Sequence, residues 1–225
     1  MMMNFAVIVF PGSNCDHDAY HVINNVLGIS VDFVWHKKND LSSYDGVIIP
    51  GGFSYGDYLR TGAIACFSPI MESIIKEAKS GKPIFGICNG FQILIESGLL
   101  PGALIVNKNV RFLSQDVVLE VSTNKSIYTK LMKKNEKLTM PIAHKQGNYI
   151  VDESTHKLLK EEDRIIFRYV EGEKGNPNGS MDRIAGVTNQ NGNVLGMMPH
   201  PERASESILG SQDGLKIFQS LLESI

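Results

Sequence analysis

Lys82 to Leu94 reads K-P-I-F-G-I-C-N-G-F-Q-I-L, an apolar run that passes without a linker into helical periodicity. Pro83–Ile87 has the length and β-branched character of a strand buried on both faces. Immediately after it, Phe91, Leu94, Ile95 and Leu99 recur at helical spacing. Cys88 therefore falls on the turn between strand and helix. Gly86 and Gly90 flank it where the backbone must bend sharply, the device of a nucleophile elbow with sulfur in place of oxygen. A thiol at a helix N-terminus meets the positive end of the dipole, which favours the thiolate and is expected to draw its pKa below ~8.5.

Working outward, the same alternation repeats. Phe5–Phe10 is a β-rich run, followed by P-G-S-N and then Ala19, Val22, Ile23, Val26 and Leu27 on one helical face, closed by Gly28. Val31–Trp35 and Gly46–Pro50 read as further strands. Ser68 and Pro69 read as the N-cap and first-turn residue of a helix carrying Ile70, Ile74, Ile75 and Ala78. Strands alternating with helices at this pitch predict a mostly parallel central sheet with helices on both faces and ligands beyond the carboxyl ends of the strands. After Pro101 the runs Asp116–Ser122, Leu138–Ala143, Ile165–Val170, Ile184–Thr188 and Val194–Met198 are β-rich, with one helical signal at Glu153–Lys160. They predict extension of the sheet with an antiparallel edge. Glu171–Ser180 is expected to be an exposed turn rather than a linker, and Leu215, Phe218, Leu222 and Ile225 mark a closing helix. Residues 1–225 are thus expected to form a single domain.

Composition narrows the function. A chain with 43% hydrophobic and 20% charged residues buries a core without metal or disulfide support, and a net charge of −2 with scattered Lys and Arg offers no stripe for a phosphate backbone. Nucleic acid is not expected as a partner, nor is a membrane, since no apolar run reaches spanning length. Three well-separated cysteines fit neither a CxxC metal site nor a disulfide framework, and the N-terminal run lacks a cationic n-region, which together suggest a cytoplasmic protein with reduced thiols.

Cys66, in G-A-I-A-C-F, reads as a core cysteine. Cys15, in P-G-S-N-C-D, should open at the carboxyl edge of the sheet near any site there, although it lacks flanking glycines. Among six histidines, His17 and His21 stand four apart beside Asp16 and Asp18, a metal-like spacing that lies off the apolar face and reads as solvated. No metal site is expected. His156 also reads as helix surface, and His36 and His144 end apparent strands without an assigned role. His200 differs because Pro199 and Pro201 in G-M-M-P-H-P-E-R exclude a helix and favour extended backbone. In an extended chain, i and i+2 face the same side, so Glu202 would orient His200 and stabilise its charged form. The G-G turn after Gly46–Pro50 places Gly51 and Gly52 as candidate oxyanion donors, with the backbone of Asn89 as a second; each such donor is typically worth ~3 kcal/mol of transition-state stabilisation.

P-G-G-F (Pro50–Phe53), G-I-C-N-G-F-Q (Gly86–Gln92) and P-H-P-E (Pro199–Glu202) resemble, in order and spacing, the class I glutamine amidotransferases. The longer strings F-P-G-S-N-C-D, G-G-F-S-Y-G-D-Y-L-R, N-G-N-V-L-G-M-M-P-H-P-E-R and L-G-S-Q-D-G are similar to those of the glutaminase subunits of phosphoribosylformylglycinamidine synthases, of purine biosynthesis. The resemblance covers almost the whole chain. It implies a flavodoxin-like fold, Cys88, His200 and Glu202 as a catalytic triad, Gly52 and Asn89 as oxyanion donors, and Gln92 with Phe53 beside bound L-glutamine. It further implies a large synthetase subunit that uses ATP and Mg with formylglycinamide ribonucleotide, and a small third subunit. No cofactor is implied on this chain, and no G-x-x-x-x-G-K-[ST] phosphate loop is present. Asp57 and Arg60, in the loop Ser54–Arg60, are the candidate coupling residues toward the synthetase. A-H-K-Q-G (Ala143–Gly147) departs from the family, which has Gly-Glu at Lys145-Gln146. A cysteine hydrolase or redox sensor of the DJ-1/PfpI type would share the elbow but not P-H-P-E, and a non-catalytic regulatory module would not need the triad.

Overall fold

The computed structural model describes residues 3–172 and 175–225. Glu173 and Lys174, within the turn expected at Glu171–Ser180, and the first two methionines of the N-terminal run lie outside the described residues. The first half alternates as its apolar runs predict: β1 (Asn4–Val9), α1 (Asp16–His21), β2 (Ser30–Trp35), β3 (Gly46–Ile49), α2 (Ile70–Lys79), β4 (Ile84–Ile87) and α3 (Asn89–Glu96). The helical spacing beyond His21 is taken up by a π-helical turn, Val22–Val26, before Gly28 leaves at φ 68°. The second half holds β5 (Ala103–Val106), β6 (Leu113–Val121), β7 (Lys137–His144), β8 (Gln146–Ile150), α4 (Glu153–Glu161), β9 (Ile165–Tyr169), β10 (Ile184–Thr188), β11 (Val194–Met197) and α5 (Leu215–Leu222).

Nine strands form one sheet in the order β2-β1-β3-β4-β11-β10-β9-β6-β7. Pairings from β2 to β11 are parallel and those from β11 to β7 antiparallel. Neighbouring residues of β4 show what covers each face. Phe85 packs on Phe218 of α5, with ring centroids 5.6 Å apart. A Cβ on Gly86, pointing the opposite way, would meet Leu94 of α3 at 2.4 Å. Successive side chains alternate across a strand, so α5 and α3 lie on opposite faces.

The decisive placement is β11. It is the last strand in sequence, yet it lies beside β4 in the middle of the sheet, with Met197 opposite Ile87. Two parallel strands ending in register bring the residues after Ile87 and after Met197 to the same edge.

Several local expectations are corrected. Ser68 does not cap α2 with its side chain; its hydroxyl meets Tyr55 OH at 2.8 Å and His36 Nδ1 at 3.2 Å. Within the segment expected to be exposed at Glu171–Ser180, Asn178 and Ser180 are buried, because Asn178 Nδ2 and Ser180 Oγ both donate to the Gly147 carbonyl. Ile225 lies beyond α5 and is exposed. The pairing of β5 with β8 in a separate small sheet had no periodic signal strong enough to predict it.

Candidate active site

Cys88 sits between β4 and α3 at φ 49° and ψ −103°, outside the ordinary regions for a residue with a side chain. Its amide donates to the Met197 carbonyl at 2.8 Å and its thiol to the Ala143 carbonyl at 3.7 Å. The flanking glycines are sterically required. A Cβ on Gly90 would stand 1.9 Å from the Ile49 carbonyl oxygen, and one on Gly86 would stand 2.8 Å from the Gly90 carbonyl. The elbow is therefore clamped against the end of β3 as well as against α3.

His200, at φ −103° and ψ 89°, caps a 3-10 helix over Pro201–Arg203 where an extended chain was expected, because Pro201 is compatible with a first helical turn; its amide donates to the Pro141 carbonyl at 2.8 Å. Its Nδ1 lies 2.6 Å from Glu202 Oε1, with both residues buried. An ionised carboxylate only accepts, so Nδ1 carries the hydrogen and Nε2 is left for the cleft. Among the described residues, Nε2 has no geometrically sound partner. Burial by itself opposes the charged imidazolium, but the Glu202 carboxylate and then the neighbouring thiols outweigh it and hold the His200 pKa well above its usual value.

Cys15 also reaches this point. It precedes α1 at the carboxyl end of β1, and its Sγ together with a donor atom of His200 and of Glu202 lie within 4.8 Å of one another. A Cβ on Gly51 would stand 2.8 Å from His200 Cε1, 3.1 Å from Cys15 Sγ and 3.4 Å from Cys88 Cβ. The missing side chain of Gly51 is the space in which the imidazole and two thiols converge. Arg203 Nη2 donates to Cys15 Sγ at 3.1 Å while its Nε holds Asp18 at 3.0 Å. Burial pushes the Cys15 thiol pKa up, against the lowering effects of His200 and Arg203.

Residues 2–219 match the CobB/CobQ-like glutamine amidotransferase domain family. The chain belongs to this family. It is similar to a chain of the PurLQS structure from Thermotoga maritima, at 46% identity over 100% of this chain and 99% of that one, with a TM-score of 0.90. More distant likenesses show the fold alone. A putative GMP synthase protein from Thermoplasma acidophilum shares 17% identity over 99% of this chain and 94% of its own, with a TM-score of 0.66. A glutamine amidotransferase from Thermotoga maritima shares 17% over 100% and 98%, with a TM-score of 0.65.

In this glutamine amidotransferase, Gly52 and Phe53 border the same cleft of about 210 Å³, and together with Asp57 and Gln92 they border the chamber that continues from it past Cys88. Gly52, at φ 134°, lines both; a Cβ there would meet the Asn14 amide nitrogen at 2.7 Å. Asn89 is buried with its side chain committed, Oδ1 accepting from the Ser54 amide and Nδ2 donating to Gln92. Only its backbone N–H, the first of α3 and without an intrahelical acceptor, remains for a developing oxyanion. Gln92 donates to the Gln146 carbonyl at 2.8 Å, and Phe53 stacks on Phe112 at the mouth, with centroids 6.5 Å apart.

Asp57 lines the inner chamber, while Arg60 points away and makes a bidentate pair with Glu96 at the far end of α3. The two coupling candidates thus do not pair with each other. His144 also lines the chamber, where burial and the nearby His200 push its pKa down to about 3, making it a weak base at neutral pH. Cys66 is partly buried, its thiol pKa pushed up to about 11 by burial. His17 and His21 diverge, His17 onto Asp16 and His21 onto Glu206, while His156 holds Asp182.

The sequence missed Arg203, Gly51 as a spacer and the chamber residues Thr61 and His144. Arg203 follows P-H-P-E directly, so its proximity to the site was legible; its contact with Cys15 was not.

Proposed function

We propose that this chain is the glutaminase subunit of a phosphoribosylformylglycinamidine synthase, working as a single domain in the cytoplasm. It hydrolyses L-glutamine and passes ammonia to a synthetase. The observation that supports this most directly is the convergence of the Cys88 elbow with the buried His200–Glu202 pair, together with the 46% full-length likeness to a PurLQS chain.

Cys88 attacks the side-chain amide carbon of glutamine as the thiolate, its proton held on His200. The tetrahedral oxyanion is taken by the backbone N–H groups of Gly52 and Asn89. His200, kept in one tautomer by Glu202, delivers the proton to the leaving nitrogen, and ammonia departs to leave a γ-glutamyl thioester. Water then enters, His200 takes its proton, and the thioester collapses to glutamate and free thiol. Gln92 and Phe53 border the bound substrate.

Ammonia in bulk water protonates and loses its nucleophilicity, so the reading includes a large synthetase subunit that consumes ATP with Mg to activate formylglycinamide ribonucleotide, and a small third subunit. The loop Ser54–Arg60 carries the coupling. Its Arg60 grips the end of the same helix whose first residue follows Cys88, so displacement of the loop is transmitted to the elbow. Among the described residues, no helix is long and apolar enough to cross a membrane.

The test compares ammonia release from glutamine by this chain alone and with synthetase, ATP and formylglycinamide ribonucleotide. Stimulation by the complete mixture, lost in Arg60→Ala, is expected. Full turnover by the isolated chain would remove the coupling, and no turnover under any condition would remove the glutaminase reading.

A further inference from the structure

The inner chamber beyond Cys88 contains a carboxylate that the mechanism above does not use. Asp57 is held at φ 55° in the loop after β3, and its Oδ1 is buried with no hydrogen-bond partner among the described residues. An ionised oxygen in that state is costly unless something brings it a positive charge. Burial alone pushes the Asp57 carboxyl up to about 6, which still leaves it mostly ionised at pH 7.5. No ion pair on the described residues compensates it: Arg60, three residues on, is committed to Glu96.

The other chamber walls fit the same picture. Among the described residues, Asp57 is the one carboxylate lining the chamber, alongside Thr61, Gln92, His144 and Gln146. His144 stays neutral there and does not repel a cation. Gln146 and Gln92 are tied into the wall, Gln146 Oε1 by Thr61 and Gln92 by the Gln146 carbonyl, so they shape the chamber and leave its charge to others. Lys145 borders the chamber, is exposed, and forms no salt bridge among the described residues. A chamber lined by Cys88, by an unmatched carboxylate and by a lysine without an ion-pair partner among the described residues is complementary to an amide whose far end is a zwitterion.

We infer that Asp57 binds the α-ammonium group of glutamine and that Lys145 binds its α-carboxylate, so that these two residues set the specificity for an α-amino acid amide. This rests on the glutaminase reading above and adds the recognition of the substrate's charged end. It also gives the coupling loop a mechanism, because docking that shifts Ser54–Arg60 moves Asp57 and changes the affinity for glutamine.

The experiment measures ammonia release by the complex of this chain with its synthetase from three amides: glutamine, 4-carbamoylbutanoate, which lacks the α-ammonium, and 4-aminobutanamide, which lacks the α-carboxylate. Where turnover is too slow, the same compounds are scored as protectants of Cys88 against iodoacetamide. For Asp57→Asn, kcat/KM for glutamine is expected to fall about 30-fold, chiefly through KM, as for loss of a charged hydrogen-bond partner. The value for 4-aminobutanamide should fall equally, and that for 4-carbamoylbutanoate should change less than about threefold. Lys145→Met should lower glutamine and 4-carbamoylbutanoate by about fivefold and spare 4-aminobutanamide. Unchanged iodoacetamide labelling of Cys88 without ligand verifies that the variants keep the elbow. An equal fall for all three amides in Asp57→Asn, or no fall for glutamine, overturns the assignment. Absence of ammonia release from glutamine by the parent complex would overturn the glutaminase reading itself.

Discussion

The turns after β1 and after β4 leave the same edge of the sheet and each brings a thiol to His200, but they are built differently. Cys88 is held at positive φ between two glycines whose absent side chains let α3 press on β3. Cys15 has an ordinary φ of −104°, no glycine on either side, and an arginine bonded to its sulfur. Proximity to a base is therefore shared by both thiols. Both precede a helix and line the same cleft; what separates them is backbone and partner, the elbow holding Cys88 at positive φ while the Cys15 sulfur is already engaged by Arg203.

The comparison breaks most decisively on the thiols themselves. Cys88→Ser is expected to lower glutamine hydrolysis by about 10⁴-fold or more, as loss of a nucleophile does, while Cys15→Ser stays within about tenfold of the parent. Peptide mapping after reaction with a glutamine-analogue electrophile should find the label on Cys88. Label on Cys15 would reverse the assignment.

Next in size, His200→Ala should slow thioester formation in single-turnover kinetics by about 10³–10⁴-fold, and Glu202→Gln by less. Glu202 is the main influence raising the His200 pKa, so Glu202→Gln should move the imidazole inflection in the pH dependence of Cys88 alkylation to lower pH. The same linkage bears on stability. A folded-state pKa above the unfolded ~6.5 contributes stability that is complete below pH 6.5 and fades as pH rises through the folded value. The melting-temperature deficit of Glu202→Gln should then be largest near pH 6 and narrow toward alkaline pH.

Gly90→Ala tests whether the elbow is the discriminating feature. With its Cβ 1.9 Å from the Ile49 carbonyl, the elbow must open, at a cost of about 1–3 kcal/mol seen as a lowered melting temperature. Cys88 alkylation should slow while Cys15 alkylation is unaffected. The smallest effect is expected from Arg203→Met, which frees Cys15 and breaks a half-exposed pair with Asp18 worth at most about 1 kcal/mol. The Cys15 thiol, having lost a cation that lowers its pKa, should alkylate more slowly at pH 8, with glutaminase activity changed less than about threefold.

The elbow was legible because its chemistry is local: strand, thiol and helix are contiguous, and glycine at both flanks records a steric demand. The His200–Glu202 pair was legible as two neighbouring residues set between prolines, but its geometry was not: a 3-10 turn over Pro201–Arg203, rather than an extended chain, brings the carboxylate to the imidazole. Asp57 and Arg60 were visible only as charges in a loop. Their opposite fates, one facing the chamber and one gripping Glu96, depend on backbone angles at Tyr55, Asp57 and Leu59 that no side-chain pattern announces.

By itself, then, the sequence determined the alternating elements, the elbow, the pairing of His200 with Glu202 and the family to which they belong, because each is written in residues a few positions apart. Tertiary structure decided that β11 lies beside β4, so that residues 112 apart share one cleft, and that Cys15 and Arg203 join them. Strand order is set by the packing of whole faces against α3 and α5, a property of summed contacts that the periodicity of any single strand does not encode.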